Sequence, residues 1–366
     1  MTYSTTIDLL KAALPECSWS QDGDVIAPFL QEWRDRWVGQ TPILLRPKTT
    51  AEVAQAVKIC AAHKTPITVQ GGNTGLVGGQ IPQGEVLLSL ARLNEVREAS
   101  VDNMHLLCEA GVTLLEAQQT ADKIGLKFPL SLASEGSCTI GGNLSTNAGG
   151  VHVVKYGTAR ELVYGVEAVL ADGSVFNDLT PLRKDNTGYA LSHLLMGAEG
   201  TLGIITAASL KLFPKPAQTI TVMAAVKSPA QALALLSRVR NGSGLSMFEL
   251  IPHLGMEYVT THIPNQTSPF DNAHPWYVLL EWEFDSEGAH LASAEGILEK
   301  AFEHGLVRDA VIAKSQAQAN ALMALRENLS ASQKPIGATI KHDISVPTSL
   351  VPTFIERANA AVLAEL

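Results

Sequence analysis

Glycine-rich stretches are the part of this sequence best suited to binding a ligand. TVQGGNTGLVGG spans 68–79, EGSCTIGGNLSTNAGG spans 135–150 and GAEGTLGIIT spans 197–206; they are called the first, second and third glycine segments. Glycine reaches positive φ angles and lets the backbone approach a ligand closely, so successive N–H groups can form a concave anion site. Alone, the first segment fits a simple turn equally well. Three such segments, each beside a strand, favour one long ligand such as a dinucleotide.

The first glycine segment fails the two common nucleotide patterns. It is not G-x-G-x-x-G, because Asn73 and Thr74 follow Gly72, and no G-K-[ST] comes after it. Both patterns also need a helix that opens from the loop, whereas the next apolar run, EVLLSL, is predicted to be a strand. A nicotinamide-dependent reductase on a Rossmann fold is therefore disfavoured, and an anion would be held by a nest of backbone N–H groups.

Strands and helices flank all three segments. PILLRPKTTAEVAQAVKICAAHKTPITVQ predicts strand, helix and strand, with Thr49 or Thr50 as the helix N-cap and one apolar face of Val53, Ala56, Val57 and Cys60. HLLCEAGVTLLEAQQTADKIGL predicts a strand, a turn and a helix, and VYGVEAVLADGSVF a hairpin that turns at Asp172-Gly173. The Pro-Lys-Pro break at 214–216 is taken as a domain boundary.

After this break, the chain predicts a β-α-β-β-α-β order, which is typical of an antiparallel sheet backed by helices. The runs are TITVMAAV, SPAQALALLSRVRN, SMFELI, WYVLLEWEF, ASAEGILEKAFEHG and VRDAVIA. A last helix, SLVPTFIERANAAVLAEL, carries an apolar stripe and reaches Leu366 with no Gly, Asn or Pro to end it. The second domain is therefore expected to be incomplete.

Composition limits the classes of partner. The 366 residues favour two domains, and a formal charge of −9 argues against a broad nucleic-acid or acidic-membrane footprint. The four cysteines, Cys17, Cys60, Cys108 and Cys138, match neither a zinc knuckle nor a redox dithiol, which favours a reducing compartment. No signal peptide or bilayer-spanning run is evident, so a cytoplasmic protein is expected.

Several motifs, in order from about Pro42 to Leu366, resemble those of the vanillyl-alcohol-oxidase superfamily of FAD-linked oxidoreductases. They are RPKTTAEVAQAVKIC, VQGGNTGLVGG, GSCTIGGNLSTNAGG, YGTARELV, RKDNTGYALSHLLMGAEGTLGIIT and FPKP. The resemblance is to the group of D-2-hydroxyglutarate dehydrogenase, D-lactate dehydrogenase and the glycolate oxidase flavin subunit. It implies an α+β protein with a two-subdomain FAD-binding domain of the PCMH type and a substrate (cap) domain of antiparallel sheet and helices. The expected ranges are an N-terminal helical segment at 1–40, the FAD-binding domain at 41–216 and the cap domain at 217–366.

The resemblance also implies which residues hold the cofactor. The FAD pyrophosphate region is expected at Gly71, Gly72, Asn73, Thr74 and Gly75. The residues expected to wrap the flavin are Ser137, Thr139, Gly142, Asn143, Thr146 and Gly149, completed by Gly203 and Ile205. Some relatives attach the flavin covalently through a His where this chain has Asn73, and Asn cannot form that bond. Non-covalent FAD is therefore expected.

Cationic residues near the C-terminal end could bind a carboxylate. Arg326 and Ser330 are four apart on one predicted helix, hence on one face. Residues 339–347 alternate as a strand, which puts Lys341 on one side and makes His342 a packed residue rather than a base. From the residues alone, Arg326 and Lys341 could equally be solvated surface cations. The resemblance implies that Arg326, Ser330 and Lys341 contact the substrate carboxylate.

The implied reaction is oxidation of a D-2-hydroxy acid to a 2-oxo acid, with hydride passing from substrate C2 to flavin N5. Relatives continue into an H-x-x-x-G-D-G-N-x-H stretch that binds a divalent metal such as zinc and is linked to deprotonation, and this chain has no such stretch. The catalytic base is therefore unknown and expected beyond Leu366. The remaining histidines show no metal-ligand spacing: His152, His193, His253, His262, His274, His290 and His304.

Two functional hypotheses stay open. The chain is part of a flavin-dependent 2-hydroxy-acid dehydrogenase, or it is a FAD-binding but inactive module that needs a partner chain. The expected partners are a small 2-hydroxy acid and a separate electron acceptor, which is an electron-transfer flavoprotein, a quinone or a cytochrome. A homodimer is left open, and no nucleic-acid partner is expected.

Overall fold

The chain folds as two units, which a computed structural model describes over residues 3–240, 244–288, 290–337, 339–340 and 342–365. The first unit comprises Met1–Gly150 and Tyr156–Lys215. The second comprises Val151–Lys155 and Pro216–Leu366.

The first unit begins with a small sheet covered by helices. Its elements are α1 (Tyr3–Ala13), a 3₁₀ turn (Glu16–Ser18), β1 (Trp19–Ser20), α2 (Gly23–Leu30), β2 (Leu44–Leu45), α3 (Thr50–Ala62), β3 (Ile67–Gln70) and β4 (Val86–Ser89). The strand order is β1-β2-β4-β3, and β4 is parallel to both β2 and β3. Thr49 caps α3, its hydroxyl accepting from the Glu52 N–H at 3.2 Å, and the predicted apolar face is buried. Both predictions are confirmed.

A five-stranded antiparallel sheet forms the rest of the first unit. Its elements are β5 (Val96–Ser100), β6 (His105–Glu109), α4 (Leu114–Lys123), β7 (Leu126–Lys127), α5 (Ile140–Ser145), β8 (Val163–Leu170), β9 (Val175–Asn177), α7 (Ser192–Leu195), β10 (Gly203–Lys211) and β11 (Phe213–Pro214). Helix α6 (Val153–Tyr156) lies between α5 and β8 in the chain, and all of it except Tyr156 belongs to the second unit. The strand order is β5-β6-β10-β8-β9, and β7 pairs separately with β11. The predicted hairpin is β8–β9: Gly173 has φ +82°, and the Asp172 carboxylate accepts from the Ser174 N–H at 2.8 Å.

The second unit is built on a four-stranded antiparallel sheet. Its elements are β12 (Gln218–Val226), α8 (Pro229–Val239), β13 (Leu245–Pro252), α9 (His253–His262), β14 (Trp276–Phe284), α10 (His290–Glu303), β15 (Asp309–Ile312), α11 (Gln316–Glu327), α12 (Leu329–Ser332), a 3₁₀ turn (Thr348–Leu350) and α13 (Val351–Glu365). The sheet is antiparallel, as predicted, and its strand order β13-β14-β12-β15 is that of a split β-α-β arrangement. Helix α9, between β13 and β14, was not predicted.

Both faces of this sheet are buried, which explains why its strands are almost continuously apolar. On β12, Val222 and Ala224 pack with α8 and α10, whereas Met223 and Ala225 pack with α9 and α11. Successive residues of a strand point to opposite faces, so each face needs its own apolar set. The two helical layers bury both sets.

Two predictions near the C-terminal end are wrong. The described residues of 339–347 contain no strand, and His342 is exposed rather than packed, with Ile340 85% and Ile344 62% exposed. Alternating apolar and polar residues form a strand only where another strand pairs with them and an apolar layer buries one side. Among the described residues, this stretch has neither. The single helix predicted for Arg326 and Ser330 is instead two: α11 is followed by the cap residue Asn328, and α12 then begins.

The last predicted helix is confirmed as α13. None of its described residues is buried, and Val362 and Leu363 are 60% and 73% exposed. Of the helices in the described ranges, none is both long and apolar enough to cross a bilayer.

The cysteines should differ sharply in reactivity. Cys17 is exposed, and a hydrogen bond from the Arg92 guanidinium lowers the pKa of its thiol. Burial raises the thiol pKa of Cys60 to about 11 and of Cys108 to about 12, and it also raises that of Cys138. Because the thiolate is the nucleophile, iodoacetamide at neutral pH is expected to label Cys17 first, as mass spectrometry would measure. Comparable labelling of Cys60 in the folded protein would contradict this, and Cys17→Ser is the control.

Candidate functional site

The first and second glycine segments touch through their backbones. A Cβ atom placed on Gly72 would lie 2.0 Å from the carbonyl oxygen of Ser137. A Cβ on Gly71 would lie 2.5 Å from the Thr139 hydroxyl oxygen. Neither glycine has a positive φ, so it is the close approach that excludes a side chain here.

The third glycine segment joins the same region. The N–H of Gly197 donates to the Leu144 carbonyl and that of Glu199 to the Ser145 carbonyl, both at 2.9 Å, at the end of α5. A Cβ on Gly200 would lie 3.8 Å from the side chain of Val69, which belongs to the first segment. The structure therefore brings the three segments together within the first unit, although more than 110 residues separate the first from the last.

The first segment presents a run of backbone donors. Within the described residues, no protein acceptor receives a hydrogen bond from the backbone N–H groups of Gly71–Gly75. Asn73 has φ +54°, which turns the backbone in the middle of this run. Consecutive donors around such a turn suit an anion, and the pyrophosphate of FAD is one. The donor chemistry of the loop therefore fits the expected cofactor.

The side chains of the second segment mostly hold the segment itself. Thr139 caps α5 by accepting from the Gly142 N–H at 3.4 Å, and the Thr146 hydroxyl donates to the Gly142 carbonyl at 3.1 Å. Asn143 is 5% exposed and its amide lies 3.6 Å from the Cys138 sulfur. Ser137 is exposed, whereas Gly142 and Gly149 are half-buried. The segment, predicted as a turn, thus contains a short helix.

Gly203 and Ile205 lie within β10. A Cβ on Gly203 would lie 2.9 Å from a Leu195 methyl group, and the Ile205 side chain is 2% exposed in the core. Ile205 can therefore reach a ligand only through its backbone. A cavity of about 200 Å³ adjoins the start of this strand, and its lining includes Val57, Val69 and Gly200–Ile204.

The residues expected to bind substrate lie in the second unit. Arg326, in the last turn of α11, donates from Nε to a Glu249 carboxylate oxygen at 2.8 Å. Ser330 is half-buried in α12, and Lys341 lies outside the described residues. Glu249, on β13, was not predicted, because 77 residues separate it from Arg326 and only the sheet brings it close.

A group of titratable side chains in the second unit was also missed. His152, Glu281 and Glu283 have ligand atoms within 4.8 Å of one another, a composition that could hold a metal ion. His152 Nε2 lies 3.3 Å from Glu281, and Lys155 Nζ lies 3.0 Å from Glu283. The hydroxyl groups of Thr221 and Ser246 also donate to Glu281. Both buried carboxylates thus have protein partners, as an ion-pair network requires.

Comparisons with known proteins define the class. The family described as "FAD binding domain" matches residues 41–178, and the family described as "FAD linked oxidases, C-terminal domain" matches residues 215–365. A crystal structure of p-cresol methylhydroxylase has the same fold, with a TM-score of 0.71 at 18% identity over 89% of this chain and 71% of that one. The chain is a flavoprotein with an FAD-binding domain of the PCMH type and a C-terminal domain, as predicted.

More similar relatives define the family. The D-2-hydroxyglutarate dehydrogenase of Xanthomonas citri pv. viticola is 33% identical, and the match covers 96% of this chain and 74% of that protein. "Probable D-2-hydroxyglutarate dehydrogenase, mitochondrial" of Oryza sativa subsp. japonica is 37% identical, over 98% of this chain. The chain belongs to the D-2-hydroxyglutarate dehydrogenase family, and it spans 65% of the length of the Oryza relative.

The same comparison corrects the predicted location. The Oryza relative is named as mitochondrial, which contradicts the expectation of a cytoplasmic protein. That expectation depended partly on cysteine spacing, which indicates a reducing environment and does not identify one compartment.

The contact between the first two segments can be tested by adding one methyl group. Gly72→Ala is expected to lower the free energy of unfolding by about 1–3 kcal/mol, because the new Cβ meets backbone that cannot rotate away. Urea unfolding measures this. Gly79→Ala is the matched control, since nothing lies within 4 Å of a Cβ there and its φ is not positive. Equal stability of the two variants would contradict the observed approach.

Proposed function

We propose that this chain belongs to an FAD-dependent dehydrogenase that oxidises a D-2-hydroxy acid to the 2-oxo acid. The observation that carries the proposal is the convergence of three glycine segments around a run of free backbone donors. D-2-Hydroxyglutarate is the first substrate candidate because the relatives carry its name, and D-lactate and glycolate are the alternatives.

We propose that the FAD-binding domain spans 41–216 and the substrate domain 217–366. The N–H groups of Gly71–Gly75 would hold the pyrophosphate, and the side of the second segment that carries Ser137, Gly142, Thr146 and Gly149 would contact the flavin. Thr139 and Asn143 would hold that segment in shape through their contacts within it. Gly203 and Ile205 would contact the flavin through their backbone atoms. When bound, FAD supplies the flavin N5 that accepts a hydride. Asn73 leaves the cofactor non-covalent at this position.

Arg326, Ser330 and Lys341 are proposed to bind the substrate carboxylate. A guanidinium can hold a carboxylate with two parallel hydrogen bonds, and Glu249 takes only the Nε edge of Arg326. D-2-Hydroxyglutarate has two carboxylates, whereas lactate and glycolate have one, so two cations suit the dicarboxylate better. The prediction that a C-terminal segment supplies the base and a divalent metal stays a prediction.

Reduced flavin must pass its electrons on. A separate acceptor is proposed, which is an electron-transfer flavoprotein, a quinone or a cytochrome, and a homodimer is the proposed assembly to test. Acceptors should be compared with the natural gene product.

Purified natural gene product is expected to show the absorbance of bound flavin and to lose it anaerobically on addition of a D-2-hydroxy acid. D-2-Hydroxyglutarate, D-lactate and glycolate are compared at equal concentration, with L-2-hydroxyglutarate as the control for stereochemistry. Bound flavin that none of them bleaches would favour the alternative of an inactive FAD-binding module. A protein that cannot be loaded with FAD would overturn the proposal.

The role of Arg326 has its own test. Arg326→Lys keeps the positive charge and loses the planar fork, so KM for the preferred acid is expected to rise at least about tenfold. Steady-state kinetics of the natural gene product measure this. Arg238→Lys, an exposed arginine on α8, is the matched control and should leave KM unchanged. An unchanged KM in Arg326→Lys would remove this residue from the substrate site.

A further inference from the structure

The first glycine segment needs an external support to act as a binding site. Five of its twelve residues are glycine, and glycine loses more conformational freedom on ordering than any other residue. If such a loop becomes ordered only when its ligand binds, the conformational entropy that it loses makes the binding free energy less favourable. Groups that hold the loop in its donor-presenting shape before binding therefore increase affinity.

Gln80 supplies one such support from just beyond the segment. Its amide Nε2 donates to the Asn73 side-chain oxygen at 3.1 Å and to the Gly75 carbonyl at 3.0 Å. These two acceptors lie at the middle and at the end of the run of free donors. One side chain thereby spans the part of the loop that would face the anion.

Asn73 passes this support on to the N-terminal part of the first unit. Its Nδ2 donates to the Gln31 carbonyl at 2.8 Å, so both ends of the Asn73 amide are engaged. Its φ of +54° lies in the left-handed region, which Asn occupies more readily than other non-glycine residues. The amide hydrogen bonds and the backbone turn at Asn73 stabilise the same loop conformation.

Two further contacts hold the base and the far end of the loop. Gln70 is 1% exposed, and its Nε2 donates to the Phe29 carbonyl at 2.9 Å and to the Gln80 carbonyl at 3.1 Å. Gly78 lies against the Trp37 ring, where a Cβ would come within 2.9 Å of Cδ2. Residues between Phe29 and Trp37 thus contact the loop, although the predicted boundary placed them in the N-terminal segment 1–40 and outside the FAD-binding domain.

We propose that Gln80 is a positioning residue for FAD: acting through Asn73 and Gly75, it holds the Gly71–Gly75 donors in their binding arrangement. This inference rests on the proposed function, because FAD is the anion that the donors would receive. In this role, Gln80 acts through the loop and not through a contact of its own with the cofactor. Its effect is on affinity and on the rate of FAD release, rather than on the chemistry of the flavin.

The test is FAD titration of apo-protein, followed by quenching of flavin fluorescence. Gln80→Ala is expected to weaken FAD binding about tenfold, as the loss of two hydrogen bonds of ordinary strength implies. Gln83→Ala is the matched control, an exposed glutamine whose side chain makes no hydrogen bond within the described residues. Thermal melting of the apo-proteins reports whether a variant is merely less folded. Unchanged affinity in Gln80→Ala, or an equal loss in Gln83→Ala, would overturn the inference.

Asn73→Gly tests the proposed route independently and guards against misfolding of Gln80→Ala. Glycine accepts the positive φ, so this variant removes the amide and keeps the backbone turn. It is expected to weaken FAD binding about tenfold or more. In the double variant, the loss should be smaller than the product of the two single losses, because the residues share a hydrogen bond. A fully multiplicative loss would overturn the route through Asn73.

The outcomes also separate this inference from the proposed function. A wild-type chain that binds no FAD would overturn both. A wild-type chain that binds FAD as tightly as Gln80→Ala would overturn only the role of Gln80.

Discussion

The approach of Gly72 to the Ser137 carbonyl is the constraint on which the arrangement of the glycine segments depends. With no side chain between them, the first segment lies directly on the second, and α5 then hydrogen-bonds the third. Any Cβ at Gly72 would push these layers apart. The same packing turns the N–H groups of the first segment away from protein acceptors. A steric requirement for glycine and a chemical requirement for free donors are therefore met by the same residues.

In the second unit, the positions of charged groups are set by the need of buried carboxylates for partners. Glu281 and Glu283 lie on a sheet buried on both faces, where an unpaired carboxylate would cost several kcal/mol. Lys155 pairs with Glu283, and His152 and two hydroxyl groups contact Glu281. Arg326 and Glu249 are each about a quarter exposed, so their attraction is partly screened. The paired guanidinium is thus held in place while part of it stays accessible.

Local signals explain which elements were predictable. Thr49 could be recognised as a cap because a hydroxyl at that position accepts from an N–H three residues on, which is a relation within one turn. Helix α9 was missed because its buried apolar residues, Met256 and Val259, are few and are covered only once the sheet has formed. The alternation of 339–347 predicted a strand, and the described residues of this stretch form none, since alternation supplies no pairing partner.

The sequence by itself determined most of the order of elements, the glycine segments and the family, because these depend on residue types and on spacing along the chain. Only the tertiary structure decided that Gly72 meets Ser137, that Gln80 and Gln31 hold Asn73, and that Glu249 pairs with Arg326. Such contacts join residues up to 77 positions apart in these cases, and nothing in local propensity encodes them. They form because the burial of apolar residues in each unit determines which segments pack together. The polar groups that this packing buries must then hydrogen-bond to the groups that lie beside them.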